Sequence, residues 1–180
     1  MTMEERSKNC PPYIPYKTFE SFVSMLRQSL PARIDPGYLS DKVSANTGAQ
    51  LLYAMTFLNL IDGNNRPTPR LKLLVLATGE HRKALMRQMA DDGYCFVWKG
   101  DLNTQNLTYS DLENNFLNTY KMERDNCRKC INFFIDFCED AGIPLSPEFI
   151  SKSQNLFNNS GKKHQGEAGF IGASQKSGNT

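Results

Sequence analysis

The chain has 180 residues, a hydrophobic fraction of 39% and a formal net charge of +2, enough for one ordinary domain or two small helical ones. No segment approaches the roughly 18 to 20 unbroken apolar residues of a membrane span, and the polar first residues lack the apolar stretch of a secretory signal. We therefore expect a cytoplasmic protein without membrane contact, whose five cysteines are reduced thiols.

Charge is unevenly distributed along the chain. Residues 62–87 carry six Lys or Arg against two Asp or Glu, whereas residues 88–150 carry five against eleven. Residues 151–180 carry four against one. An uneven charge distribution of this kind creates an electrostatic field that can orient a binding partner even when the net charge is small.

The predicted elements begin with a proline-rich, extended arm over residues 1–16. Apolar residues at helical spacing then predict a first helix over residues 19–30. Asp35 and Pro36 supply a cap and a first-turn proline, which together predict a short second helix up to about residue 42.

A third helix is predicted over residues 44–59, with Ser44 or Asn46 as its N-cap. One side of this helix is apolar and is expected to face the core. The opposite side carries Asn46, Ala49, Gln50, Tyr53 and Thr56.

The apolar run that ends this helix breaks into a polar turn and then resumes over residues 71–75. Gly63, Asn64 and Asn65 tolerate the positive φ angles of a tight hairpin turn. Pro67 and Pro69 would keep the returning segment at a sheet edge. This pattern predicts a short β-hairpin wing.

The rest of the chain is predicted to be helical, apart from a strand-like connector at residues 94–98. One helix spans residues 79–92, and another begins at the capping-box pair Thr108 and Asp111. The longest helix covers residues 123–141, with its apolar residues at helical spacing.

These elements predict a mainly α-helical fold. We expect a winged helix-turn-helix over residues 17–93 and a packed helical second half over residues 94–150. Residues 151–180 are rich in Gly, Ser, Asn and Lys. They bury too little apolar area to offset the ordering entropy, which predicts a disordered basic tail.

Several segments together resemble a prokaryotic family of unknown function that is built on a winged-helix-like fold. The resemblance implies a fold but supplies no catalytic residues and no cofactor. Nucleic-acid binding would follow only by analogy of fold. The matching segments are PYKTF at residues 15–19, ANTGAQLL at 45–52, FLNLID at 57–62, RPTP at 66–69 and AGIPLS at 141–146.

The leading functional hypothesis is DNA binding in transcriptional or mobile-element regulation. The third helix would enter the major groove, where amide side chains can pair with adenine and Thr can contact a thymine methyl group. The residues predicted to read bases are Asn46, Thr47, Gln50 and Tyr53. A solvated polar helix face is the alternative interpretation of the same residues.

Residues 43–61 contain no Lys or Arg, so phosphate contacts would have to come from neighbouring segments. The predicted phosphate clamp on the wing consists of Arg66, Arg70 and Lys72, followed by Arg82, Lys83 and Arg87. As surface charges, these residues would alternatively serve solubility alone.

A protein-interaction or assembly module without DNA binding is the competing hypothesis, because Tyr53 with Phe57 beside a polar face resembles an interaction anchor. The acidic second half could also meet a basic wing of another copy and form a homo-oligomer. No enzyme motif, cofactor or metal is expected. Cys127, Cys130 and Cys138 share an apolar helix stripe, which favours core packing over zinc ligation.

Overall fold

The computed structural model describes residues 10–98, 107–149 and 151. Within these ranges the protein is mainly α-helical, as predicted, and contains no β-strand. The helices in chain order are α1 (Tyr16–Leu26), α2 (Pro36–Ser40), α3 (Ala45–Phe57), α4 (Pro69–Leu76), α5 (Gly79–Gly93), α6 (Cys95–Trp98), α7 (Tyr109–Tyr120) and α8 (Arg124–Ala141).

Helices α2 and α3 form a closely packed pair whose starts follow from local capping. The Asp35 carboxylate accepts a hydrogen bond from the Tyr38 amide, and the Ser44 hydroxyl accepts one from the Thr47 amide. A Cβ atom at Gly48 would lie 3.5 Å from the Leu39 side chain. This distance is an ordinary van der Waals contact, so the two helices pack closely at Gly48 without requiring glycine there.

The predicted β-hairpin wing is wrong, although the polar turn does form. The Asp62 carboxylate accepts hydrogen bonds from the Asn64 and Arg66 amides, both at 2.8 Å, and Asn65 adopts a φ of 59°. Ile61 and Pro67 form an isolated antiparallel bridge, and this bridge does not extend into a β-ladder. We call residues 58–68 the hairpin loop.

The returning strand of the predicted wing is instead helix α4. The Thr68 side chain caps its start by accepting from the Leu71 amide, and Pro69 occupies the first turn. Leu71, Leu74 and Val75 are buried at helical spacing. This spacing places three apolar side chains on one helix face, whereas a strand would direct Leu74 and Val75 to opposite sides.

Residues 94–98 are not strand-like, since Tyr94 is followed by the single helical turn α6. The Tyr94 ring is fully buried between Phe57 and Phe134, with ring centroids 5.1 Å and 4.8 Å away. This segment therefore joins the two halves through ring packing.

Helix α8 supplies the largest part of the core. The predicted burial of Cys127, Cys130 and Cys138 is confirmed. The predicted capping box between Thr108 and Asp111 also forms at the start of α7. Buried side chains from α1 to α8 belong to one continuous hydrophobic cluster.

Residues 10–15 of the predicted arm lie against this core, with Pro11, Pro12 and Ile14 buried. Helix α1 starts and ends earlier than predicted, directly after Pro15. The predicted disordered tail lies outside the described residues, except Ser151. In the part of the chain that is described, no helix has the length and apolar character needed to cross a membrane.

Candidate nucleic-acid interface

The outer side of α3 presents the predicted reading residues in different environments. Asn46 is exposed, and 54% of Tyr53 is exposed. Thr47 is half-buried, and its hydroxyl lies 2.9 Å from the Ser44 hydroxyl in the helix cap. Asn46 therefore faces outward, whereas Thr47 is engaged in holding the start of α3.

The N-terminal arm reaches the far end of the same helix face. The rings of Tyr13 and Tyr53 lie 6.3 Å apart, with an interplanar angle of 39°. Partial burial raises the pKa of Tyr13. Gln50 is half-buried beside this contact. The arm thus covers part of the predicted reading face, an arrangement that helical periodicity alone did not indicate.

Arg70 occupies a structural position in this fold. Its guanidinium pairs with the Asp92 carboxylate at the end of α5 and donates to the Leu58 carbonyl at 3.4 Å. Only 18% of the Arg70 side chain is exposed. Through these two contacts the Arg70 guanidinium connects neighbouring helices.

The three predicted cations on α5 are also paired within the chain. Arg82 forms an ion pair with Asp140 at 3.1 Å. Lys83 lies 3.0 Å from the Glu80 carboxylate, and Arg87 lies 3.9 Å from it. The pKa of Glu80 is lowered, chiefly by the hydrogen bond from Lys83. Arg82 therefore has its own carboxylate partner, whereas Lys83 and Arg87 share the single exposed carboxylate of Glu80.

Arg66 and Lys72 are exposed and form no ion pair within the described residues. Arg33 joins Arg66 at the hairpin loop, because the Ile34 amide donates to the Asn65 carbonyl at 2.8 Å. The pKa of Asp62 is lowered, first by the Arg66 amide and further by the charges of Arg66 and Arg33. The sequence did not predict Arg33, because it lies far before the loop in the chain and a long-range hydrogen bond brings it there.

A solvent-open groove of about 870 Å³ lies beside Gln50. Its walls come from the arm, the first turns of α1, and α8. Lys17 and Lys129 line it and are both exposed. The structure thus brings two cations to the side of a helix that carries none itself.

The cysteines offer no cluster of metal ligands, since no group of three His, Cys, Asp or Glu residues in the described ranges could hold a metal ion. The Cys130 thiol lies 3.3 Å from the Pro11 carbonyl and also hydrogen-bonds with the Cys10 thiol. This contact lowers the pKa of Cys10, whereas the pKa of Cys130 is raised. The hydrogen bond between Cys10 and Cys130 therefore connects the arm to α8.

No protein-family model, curated protein or solved structure matches this chain. The resemblance to a prokaryotic winged-helix-like family therefore stays a prediction.

Proposed function

We propose that the protein is a non-enzymatic DNA-binding protein that contacts duplex DNA with the start of α3 and with the hairpin loop. The α2–α3 pair has the order of a helix-turn-helix, in which the N-terminal residues of the second helix meet base edges. Asn46 is the exposed amide at that position, and amides can pair with adenine.

The observation that carries this proposal is the pair of exposed arginines at the hairpin loop. Arg33 and Arg66 flank the hydrogen bond between Ile34 and Asn65, and neither has an ion-pair partner among the described residues. Exposed guanidinium groups bind phosphate bidentately, and both of these groups also lie near the Asp62 carboxylate. Lys72, which is exposed on α4, is a third candidate phosphate contact.

The proposed contact set differs from the one that the sequence predicted. Arg33 enters the set and Arg70 leaves it, because Arg70 is held by Asp92. Asn46 and Tyr53 remain candidate reading residues, since both are exposed. Thr47 and Gln50 are half-buried and would contribute less to base contacts.

Fluorescence anisotropy with a mixed-sequence duplex at several salt concentrations tests the proposal. Affinity should fall steeply with salt, with a slope of roughly 0.9 in log units for each phosphate contact. The variant Arg33→Gln/Arg66→Gln should lose about two such contacts and flatten the slope accordingly. Asn46→Ala should change the preference among duplex sequences while leaving the slope unaltered.

The charge-matched control is Arg124→Gln/Arg128→Gln, which removes two exposed arginines of α8, one of them paired with Asp125, and gives the same net charge. If both double variants reduce affinity equally, binding reflects net charge alone and the hairpin loop has no specific role. Absence of binding by the unaltered protein at low salt would reject the proposal.

Interaction with another protein is a second candidate function, favoured by exposed apolar residues on α4. Leu73 is 60% exposed and Leu76 is 78% exposed, beside a groove of about 730 Å³ that His81 and Leu85 also line. Exposed apolar patches commonly mark interfaces. Light scattering on the unaltered protein and on Leu73→Gln/Leu76→Gln would reveal an oligomer that depends on this patch.

The oligomer expected from the sequence, with an acidic half against a basic wing, has less support. Arg70 and Arg82 already pair with carboxylates of their own chain. Their charges are therefore less available to a second copy.

A further inference from the structure

Two cysteines from distant parts of the chain meet where the N-terminal arm contacts α8. The Cys130 thiol lies 3.3 Å from the Pro11 carbonyl, across 119 positions of sequence, and hydrogen-bonds with the Cys10 thiol. Neither cysteine is in a disulfide. The two sulfur atoms are therefore already in contact, as the formation of a disulfide between them requires.

The two thiols differ in their access to solvent. Cys10 is half-buried, whereas Cys130 is fully buried. The hydrogen bond with Cys130 lowers the pKa of Cys10, which increases the fraction of the nucleophilic thiolate. An accessible thiolate beside a second thiol is typical of redox-sensing cysteines. A small oxidant in solution can therefore reach Cys10 first, and Cys130 can react through Cys10.

The other cysteines of α8 are less suited to react with an oxidant. Cys127 and Cys138 are fully buried, and burial raises the pKa of both thiols. The Cys127 thiol lies 3.8 Å from the Glu113 carbonyl, so it faces α7 rather than the arm. Among the arm and α8 cysteines, oxidation should therefore begin at Cys10.

The arm can make the small movement that a disulfide requires. Bonded sulfur atoms lie about 2.05 Å apart, so one of the two cysteines has to shift towards the other. Residues 10–13 are in neither a helix nor a strand, whereas Cys130 lies within the 18-residue helix α8. The arm can therefore adjust while α8 keeps its place in the core.

We propose that hydrogen peroxide oxidises Cys10 and Cys130 to a disulfide, which holds the arm on α8. The Cys10 thiolate attacks one peroxide oxygen, the O–O bond breaks, and a sulfenic acid and hydroxide are formed. The Cys130 sulfur then attacks the Cys10 sulfur, and the hydroxyl group leaves as water with the Cys130 proton. In total, two thiols lose two electrons and two protons, and peroxide is reduced to two water molecules.

The disulfide would also fix the contact between the arm and α3. Tyr13 follows Cys10 closely in the arm, and its ring lies 6.3 Å from the Tyr53 ring on the outer face of α3. The reduced arm is held by packing and hydrogen bonds, whereas the oxidised arm is held by a covalent bond. The inference does not rest on DNA binding, because the bond and its effect on stability can be measured without DNA.

Treatment of the folded, reduced, full-length protein with hydrogen peroxide tests the proposal. Peptide mass spectrometry without reductant should detect Cys10 linked to Cys130, and dithiothreitol should remove this link. The bond closes a loop of more than a hundred residues. The melting temperature should therefore rise by about 5 to 10 °C on oxidation and return to its original value on reduction.

Cys10→Ser should show neither the linked peptide nor the rise in melting temperature. The matched control is Cys95→Ser, which removes another half-buried cysteine and should respond to peroxide like the unaltered protein. The inference is overturned if Cys130 becomes linked to Cys127 instead, or if peroxide converts Cys10 to a sulfinic acid without a link. It is also overturned if the link leaves the melting temperature unchanged, or if Cys10→Ser shows the same rise.

Discussion

Arg70 forms an ion pair with Asp92, and this contact joins the start of α4 to the end of α5. The same guanidinium donates to the Leu58 carbonyl at the end of α3. One partly buried cation therefore connects three helices. The same residue would have been a phosphate contact if the hairpin wing had formed.

Replacing Arg70 by Ala should destabilise the fold by about 1 kcal/mol, because a partly buried ion pair and a helix-end hydrogen bond are lost together. Urea denaturation measures this change. Arg66→Ala is the control and should leave stability within about 0.5 kcal/mol of the unaltered protein, since Arg66 is exposed. An Arg70→Ala variant that is as stable as the unaltered protein would contradict this structural role of Arg70.

Asp136 should make stability decrease as pH rises. Its pKa is raised in the folded protein by burial and by Glu139, so the folded state holds a proton that the unfolded state releases. The penalty begins near the unfolded pKa of about 3.9 and is complete above the folded pKa. Asp136→Asn should therefore gain stability relative to the unaltered protein between about pH 4 and pH 7.

The difference between the two unfolding curves isolates this effect. Asp62, Glu80 and Asp111 have lowered pKa values and give the opposite dependence, but they are common to both proteins. A stability difference that stays constant from pH 4 to pH 7 would contradict the raised pKa of Asp136.

Cys10 should be the first of the arm and α8 cysteines to react with iodoacetamide. Its pKa is lowered by the hydrogen bond with Cys130, and it is only partly buried. Burial raises the pKa of Cys127 to about 11 and also raises that of Cys138. Because the thiolate is the reactive form, time-resolved peptide mass spectrometry should detect Cys10 labelling before labelling of Cys127, Cys130 and Cys138.

Cys130→Ala should slow the labelling of Cys10, since it removes the hydrogen bond that stabilises the thiolate. Labelling in urea provides the control, because unfolding should make the cysteine rates similar. Equal rates in the folded protein would argue against the contact between the arm and α8.

Gly142 should resist substitution, because it ends α8 with a φ of 65° and a Cβ there would lie 3.0 Å from the Arg87 guanidinium. Gly142→Ala should cost about 1 to 2 kcal/mol of stability. Gly63→Ala is the matched control, since a Cβ at that position meets no atom within 4 Å. Thermal unfolding compares the two variants, and equal melting temperatures would contradict the strain at Gly142.

The predicted wing shows where sequence interpretation failed. The polar turn at Asp62 was correctly located, because its carboxylate and the neighbouring asparagines act locally. Thr68 and Pro69 are a helix start signal, and Leu71, Leu74 and Val75 have helical spacing. These local features favour a helix, whereas a hairpin wing would need a strand over the same residues.

The mainly α-helical class, the capping box at Thr108 and the buried stripe of α8 were determined by the sequence itself. Each depends on residues within a few positions of one another, where spacing and capping decide the outcome. The tertiary structure alone decided that Arg70 meets Asp92 and that Lys17 and Lys129 share a groove with Gln50. Helix docking brings these distant residues together, and it decides which cations are neutralised and which stay open to a ligand.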